Sequence, residues 1–167
     1  SATCNITNTI TSPECEPSIN VNSIADLRAG TLGDTYTLTG EAVLTYQQNN
    51  RNQKYIEDAT AAILIDDNSG NITTTYNVGD GITGITGELT SFNGILQFVP
   101  ESDPGAPTST GLAVTPQVIT IADFLANYED YESEMIAFAN VSFLEADGST
   151  TFNTSTNYTL SNGSEQT

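Results

Sequence analysis

Between Gly40 and Pro100 apolar and polar residues alternate with a period of two, and the alternation is cut repeatedly by Gly, Asn and Asp. That pattern leaves little choice: a chain with side chains pointing to opposite faces at successive positions is a set of short strands joined by tight turns. Tyr36 and Leu38 begin it, and Ala42, Leu44 and Tyr46 continue it past Gly40, which reads as a bulge or bend. Gln47 to Gln53 is a polar hairpin tip. Tyr55 to Ile65 reads as a second long strand, ending in the apolar run Ala61-Ala62-Ile63-Leu64-Ile65. Asp66 to Gly70 has turn composition. Ile72 to Tyr76 fits either a short strand or a loop. Val78-Gly79-Asp80-Gly81 launches a strand from Ile82 to Leu89. Ser91 to Gly94 is a hairpin turn, after which Ile95 to Val99 pairs back.

The surrounding segments read differently. Residues 1–18 are polar and contain Pro13 and Pro17, which suits an extended N-terminal arm. Cys4 and Cys15, the only cysteines, lie eleven residues apart with no His anywhere in the chain, too few ligands for zinc. A local disulfide suits them better than two free thiols; it implies an oxidising, extracytoplasmic setting and would add about 3 kcal/mol by loop closure. Ser23 can cap a short helix whose Ile24 and Leu27 share one face. Residues 101–117 are rich in Pro, Gly and Ser and read as a linker.

A repeat follows. Ser23-Ile24-Ala25-Asp26-Leu27-Arg28-Ala29 matches Thr120-Ile121-Ala122-Asp123-Phe124-Leu125-Ala126, 97 residues on, with four identities in seven. The strand around Val43 has a counterpart around Val141, and Tyr55 has one in Tyr158. The second copy, residues 118–167, has no equivalent of Val78 to Val99. Three explanations stand: the chain is cut, the rest lies in sequence beyond it, or another molecule supplies the pairing. In each case Ile136, Phe138, Val141 and Phe143 are expected to bury incompletely along an unpaired edge. The stretch from Ile6 to Ile19 is the expected donor strand.

The set Ile24-Ala25-Asp26-Leu27, Gly40-Glu41-Ala42-Val43, Tyr55-Ile56-Glu57-Asp58, Val78 to Leu89 and Gly94-Ile95-Leu96-Gln97-Phe98 resembles the OB-fold-like domains of unknown function found in secreted and surface-anchored bacterial proteins. Such domains often occur as tandem pairs beside nuclease, lamin-tail-like or sorting domains. The likeness covers Ile19 to Val99 well and Val118 to Leu160 in part. It implies an all-β fold: an OB-like five-stranded Greek-key barrel with a short helix over residues 19–100, followed by an incomplete second OB-like unit. It carries over no catalytic residues.

Charge narrows the function. Lys and Arg number 3 and Asp and Glu 21, a formal net charge of −18. Such a field repels phosphate backbones and anionic lipid, so neither nucleic-acid binding nor membrane insertion is expected. Without His, Ser-His-Asp and Cys-His catalysis is excluded, and no acid stands out among so many, so no enzyme activity is expected. If a cation binds, hard oxygen ligands favour calcium, at Asp66, Asp67 and Asn68, although the twelfth position from Asp66 is Asn77 and not the Glu of an EF-hand loop. The alternative there is an Asx-type turn. The run Tyr128 to Glu134 reads as the solvated face of an incoming strand. Tyr46, Tyr55, Phe92 and Phe98 are the candidate ligand-binding aromatics, placed among Asn and Gln in a manner suited to sugar rings.

The expectation is therefore a non-enzymatic extracellular or cell-surface module, a structural, adhesin or filament subunit without an obligatory cofactor. Its partners would be copies of itself or other surface-protein chains. A carbohydrate-binding module and an accessory domain of a secreted nuclease are the alternatives. Asn-X-Ser/Thr sequons begin at Asn5, Asn71, Asn140, Asn153, Asn157 and Asn162.

Overall fold

The computed structural model of the protein describes residues 18–167, so Cys4, Cys15 and the pairing expected of them lie outside the described residues. The alternating stretch folds into one curled sheet of eight strands. In chain order these are β1 (Ile19–Val21), β2 (Thr35–Leu38), β3 (Ala42–Gln47), β4 (Lys54–Glu57), β5 (Ala62–Ile65), β6 (Gly81–Ile82), β7 (Ile85–Phe92) and β8 (Ile95–Pro100). Their spatial order is β1-β2-β7-β8-β5-β4-β3-β6. β1 and β2 run parallel, as do β5 and β8, and the other pairings are antiparallel.

The curl follows from two bends. β2 and β3 are one run of chain interrupted at Thr39-Gly40-Glu41, and β6 and β7 are one run interrupted at Thr83-Gly84. The bends meet: the Gly84 amide donates to the Leu38 carbonyl at 2.8 Å. Gly40 is needed because a Cβ there would lie 2.0 Å from the Asn22 carbonyl oxygen. The β7–β8 turn uses Asn93 and Gly94, both at positive φ (54° and 88°), the conformation a two-residue hairpin requires.

Inside the curl lie Leu38, Leu44, Ile56, Ile63, Ile65, Ile82, Ile85, Leu89 and Phe98, all buried. A short helix, α1 (Ile24–Arg28), adds Ile24 and Leu27 to this core. Ser23 caps it as expected: its Oγ accepts from the Asp26 amide at 3.1 Å and donates to the Asp26 carboxylate at 2.7 Å.

One strand expectation is corrected. Tyr55 to Ile65 is a hairpin, not one strand. The Asp58 carboxylate accepts from the Thr60 and Ala61 amides at 2.7 and 3.1 Å, and from the Ile24 amide at 2.8 Å, which turns the chain and fastens it to α1. The stretch read as a linker is tied down along β6. Thr108 and Ser109 exchange backbone hydrogen bonds with Gly81, both 2.8 Å, and the Leu112 amide reaches the Gly79 carbonyl at 2.8 Å. Asp103 accepts from the Thr73 and Thr74 amides at 3.0 and 2.7 Å. Ile72 to Tyr76 forms no strand, yet Ile72 and Tyr76 are buried and Tyr76 Oη donates to the Gly105 carbonyl.

The second copy repeats the local design. β9 (Gln117–Ile119), α2 (Ile121–Asn127) and β10 (Ile136–Phe138) mirror β1, α1 and β2, with β9 parallel to β10. Thr120 caps α2 as Ser23 caps α1: its Oγ1 accepts from the Asp123 amide at 3.0 Å and donates to the carboxylate at 2.7 Å. β11 (Ser142–Phe143) and β12 (Leu160–Ser161) form a separate antiparallel pair. Neither pair joins the large sheet. Val118 is 67% exposed and Leu144 51%; Ile136, Phe138 and Val141 are half-buried and Phe143 is exposed. Phe124, the counterpart of Leu27, packs edge-on to Phe138 and stacks on Tyr131 in place of entering a closed core. Among the described residues no helix is long and apolar enough to cross a membrane.

Candidate functional site

The second copy docks on the sheet through residues 132–135. Glu132 Oε1 accepts from Arg28 Nη1 at 3.0 Å and from the Leu96 amide at 3.2 Å, while Arg28 Nη1 also donates to the Ala62 carbonyl at 2.9 Å. The Met135 amide donates to Glu57 Oε2 at 3.3 Å. The run from Tyr128 to Glu134 is thus not a solvated strand face: Glu132 and Glu134 are half-buried at the seam. A groove of about 310 Å³ opens there, floored by Thr45, Tyr46 and Tyr55 and walled by residues 133–136.

The floor is shaped by an irregularity in β3. The β3–β4 register shifts between Leu44 and Tyr46, so that Thr45 is buried and Tyr46 turns outward to become the partner of Tyr55. Thr45 Oγ1 donates to the Tyr55 carbonyl at 3.1 Å, fixing the bulge. The two rings stand 5.8 Å apart, tilted at 51°, and Tyr46 is 50% exposed. On the wall, Ser133 sits at φ 68°, which turns the chain before Glu134. Burial, then the Glu57 and Asp130 carboxylates, push the Glu134 carboxyl above its ordinary range, against the pull of Arg28. Among the described residues Glu134 makes no side-chain hydrogen bond or ion pair.

A neighbouring groove of about 320 Å³ shares Thr45 and takes in Glu41, Val43 and Glu57, closed by residues 113–115. A third, of about 360 Å³, lies at the tip of the β7–β8 hairpin, where Phe92, 64% exposed, meets Asn50, Arg51, Gln53 and Gln97.

The four aromatics named from the sequence therefore separate. Tyr46 and Tyr55 share one groove and Phe92 lines another. Phe98 is fully buried in the core, so its candidacy as a ligand contact is corrected: its alternation places it on the inner face of β8. Asp66, Asp67 and Asn68 form the expected turn, in which the Gly70 amide donates to the Asp67 carbonyl at 3.0 Å. The carboxylates there are engaged. Arg51 Nε donates to Asp66 Oδ1 at 2.8 Å and its Nη2 to Oδ2, and Gln53 adds a third bond at 3.3 Å. Asp67, buried, accepts from the Asn71 and Ile72 amides at 2.7 and 3.1 Å, with Lys54 Nζ at 3.9 Å. These carboxylates are engaged by the protein's own cations and amides, in the geometry of the Asx-type turn. Among the described residues no three acidic, His or Cys side chains converge as a metal site.

Glu134 was not legible as a site residue. Its neighbours Tyr46, Tyr55 and Glu57 come from strands far back in the chain, and periodicity within a segment carries nothing about docking between segments. No family model, curated protein or solved structure matches the chain.

Proposed function

We propose that this chain is a non-enzymatic extracellular structural or interaction module of a bacterial surface protein. It would consist of an OB-like five-stranded Greek-key barrel and a second, partial OB-like unit completed by strand pairing with another copy. The β3–β4–β5 meander, with β6 returning by a long connection to lie antiparallel beside β3, supports the Greek-key reading. The observation that carries the functional reading is the open second unit, in which β9–β10 and β11–β12 are isolated pairs with half-exposed apolar side chains. Unpaired backbone along such edges is a template for strand addition.

Strand addition works through the backbone, whereas the −18 charge makes copies repel. Self-association should therefore strengthen as salt screens that charge. Sedimentation of the whole chain at about 0.15 M and about 1 M NaCl, where the Debye length falls from about 8 to about 3 Å, should show more oligomer at the higher salt. Deleting residues 1–17 should remove it. A monomer at every concentration and both salts, with amides of Ile136–Phe138 and Ser142–Phe143 slow to exchange, would exclude the reading.

A carbohydrate-binding module is the second reading, favoured by one observation: exposed Phe92 stands among the amide side chains of Asn50, Gln53 and Gln97, a stacking face ringed by hydrogen-bonding groups.

A further inference from the structure

We propose that the groove between β3–β4 and residues 133–136 binds a lysine or arginine side chain of a different, basic polypeptide, with Tyr46 and Tyr55 against its stem and charged head and Glu134 as its counter-ion.

The groove is concave and largely apolar, and its two tyrosine rings meet at an angle that presents aromatic surface from two sides. A flexible aliphatic stem ending in a cation fits such a corner, since ring faces attract cations and hydrocarbon alike. Glu134 stands at the same groove without a side-chain partner among the described residues. The charged groups around it are Glu57 on β4, Asp130 in the preceding turn and Arg28 on α1. Two of these repel its charge. The third, Arg28, is already bonded to Glu132 and the Ala62 carbonyl. An incoming cation would relieve the repulsion that burial and Glu57 impose.

The cation must come from another protein. The chain has three basic residues, and each is engaged: Arg28 with Glu132, Arg51 with Asp66, and Lys54 with Asp67 and the Asn52 carbonyl at 3.0 Å. Among the described residues a second copy offers no unpaired basic side chain, and it would bring −18 of like charge to the encounter. The same field would steer a basic partner inward.

The test is titration of the full chain with the capped tripeptides Gly-Arg-Gly and Gly-Lys-Gly, and with Gly-citrulline-Gly as the uncharged isostere, followed by the ring proton signals of Tyr46 and Tyr55. The charged peptides should move both rings saturably, and binding should weaken as NaCl rises toward about 0.15 M. Glu134→Gln should weaken it about tenfold and Tyr46→Ala about fivefold, with unchanged amide spectra elsewhere showing that the variants fold. Equal binding of the citrulline peptide, ring signals that never move, or the same rings moved by a neutral disaccharide without salt dependence would each overturn the proposal. Salt should drive this binding and self-association in opposite directions, and Tyr46→Ala should leave self-association unchanged. Failure of one reading is thereby distinguishable from failure of the other.

Discussion

Phe92 and Phe98 sit six positions apart on one hairpin and have opposite fates, which makes them a direct probe of how side chains divide between surface and core. Phe98 fills the interior with no exposed surface. Phe98→Ala should cost about 4 kcal/mol in denaturant unfolding, and Phe92→Ala less than about 0.5 kcal/mol. Acid will probe other single residues. Arg51 holds the Asp66 carboxyl below the ordinary carboxylate range chiefly by hydrogen bonding, and hydrogen bonds from Thr73, first of all, and then Gly105 and Thr74 hold Asp103 well below it. A depressed folded-state pKa stabilises the fold above the unfolded value of about 3.9, and that contribution fades as pH falls through the folded value. Thermal melts of wild type and Asp66→Asn should therefore differ most above pH 4 and converge toward pH 2. A difference that stays constant over that range would show that the carboxylate's charge is irrelevant.

At the scale of elements, the strongest local signals were readable and the non-local ones were not. The β7–β8 hairpin could be read because Asn93-Gly94 has one favourable use between two alternating strands. α1 could be read from its Ser23 cap, and α2 from the repeat of that segment at Thr120 to Ala126. The break between β4 and β5 could not, because it depends on where the Asp58 carboxylate goes, and one of its four bonds crosses to Ile24 in α1. Nor could the Thr45 bulge, since one extra residue in a strand is invisible to a pattern of period two until its partner strand is known. Tyr46 and Tyr55 were therefore nameable as aromatics, but their adjacency was not. The twin caps also separate the two copies energetically. Ser23→Ala should destabilise cooperative unfolding by about 1 kcal/mol, because α1 is packed into the main core. Thr120→Ala should leave that transition nearly unchanged, α2 having only Ile121 buried. Equal losses in both variants, read by chemical denaturation, would mean that the copies share one core.

For the molecule as a whole, the imbalance of charge is the dominant fact, and its consequences differ with distance. At contact range the three cations are all used to fasten structure: Arg28 across the seam, Arg51 and Lys54 within the turn at Asp66 and Asp67. Beyond contact range the net charge of −18 sets the sign of the field. The β character of residues 19–100 was legible because a curled sheet is written in local alternation and turns. The seam between copies was not, because the bond from Met135 to Glu57 spans 78 positions and follows from no local rule.

The fastening of residues 103–112 at Thr74, Gly79 and Gly81 bears on how the molecule rotates in water. A Pro- and Gly-rich tether of that length, if free, would let two bodies tumble independently, each with its own short correlation time. Held at Gly81, Gly79 and Thr74, and opposed across the seam by Arg28 and Glu132, it removes that freedom. Backbone ¹⁵N relaxation should return one correlation time for amides of both copies under conditions where the chain is monomeric, and residues 103–112 should be as ordered as the strands they follow. Two distinct times would mean that the strap opens in solution.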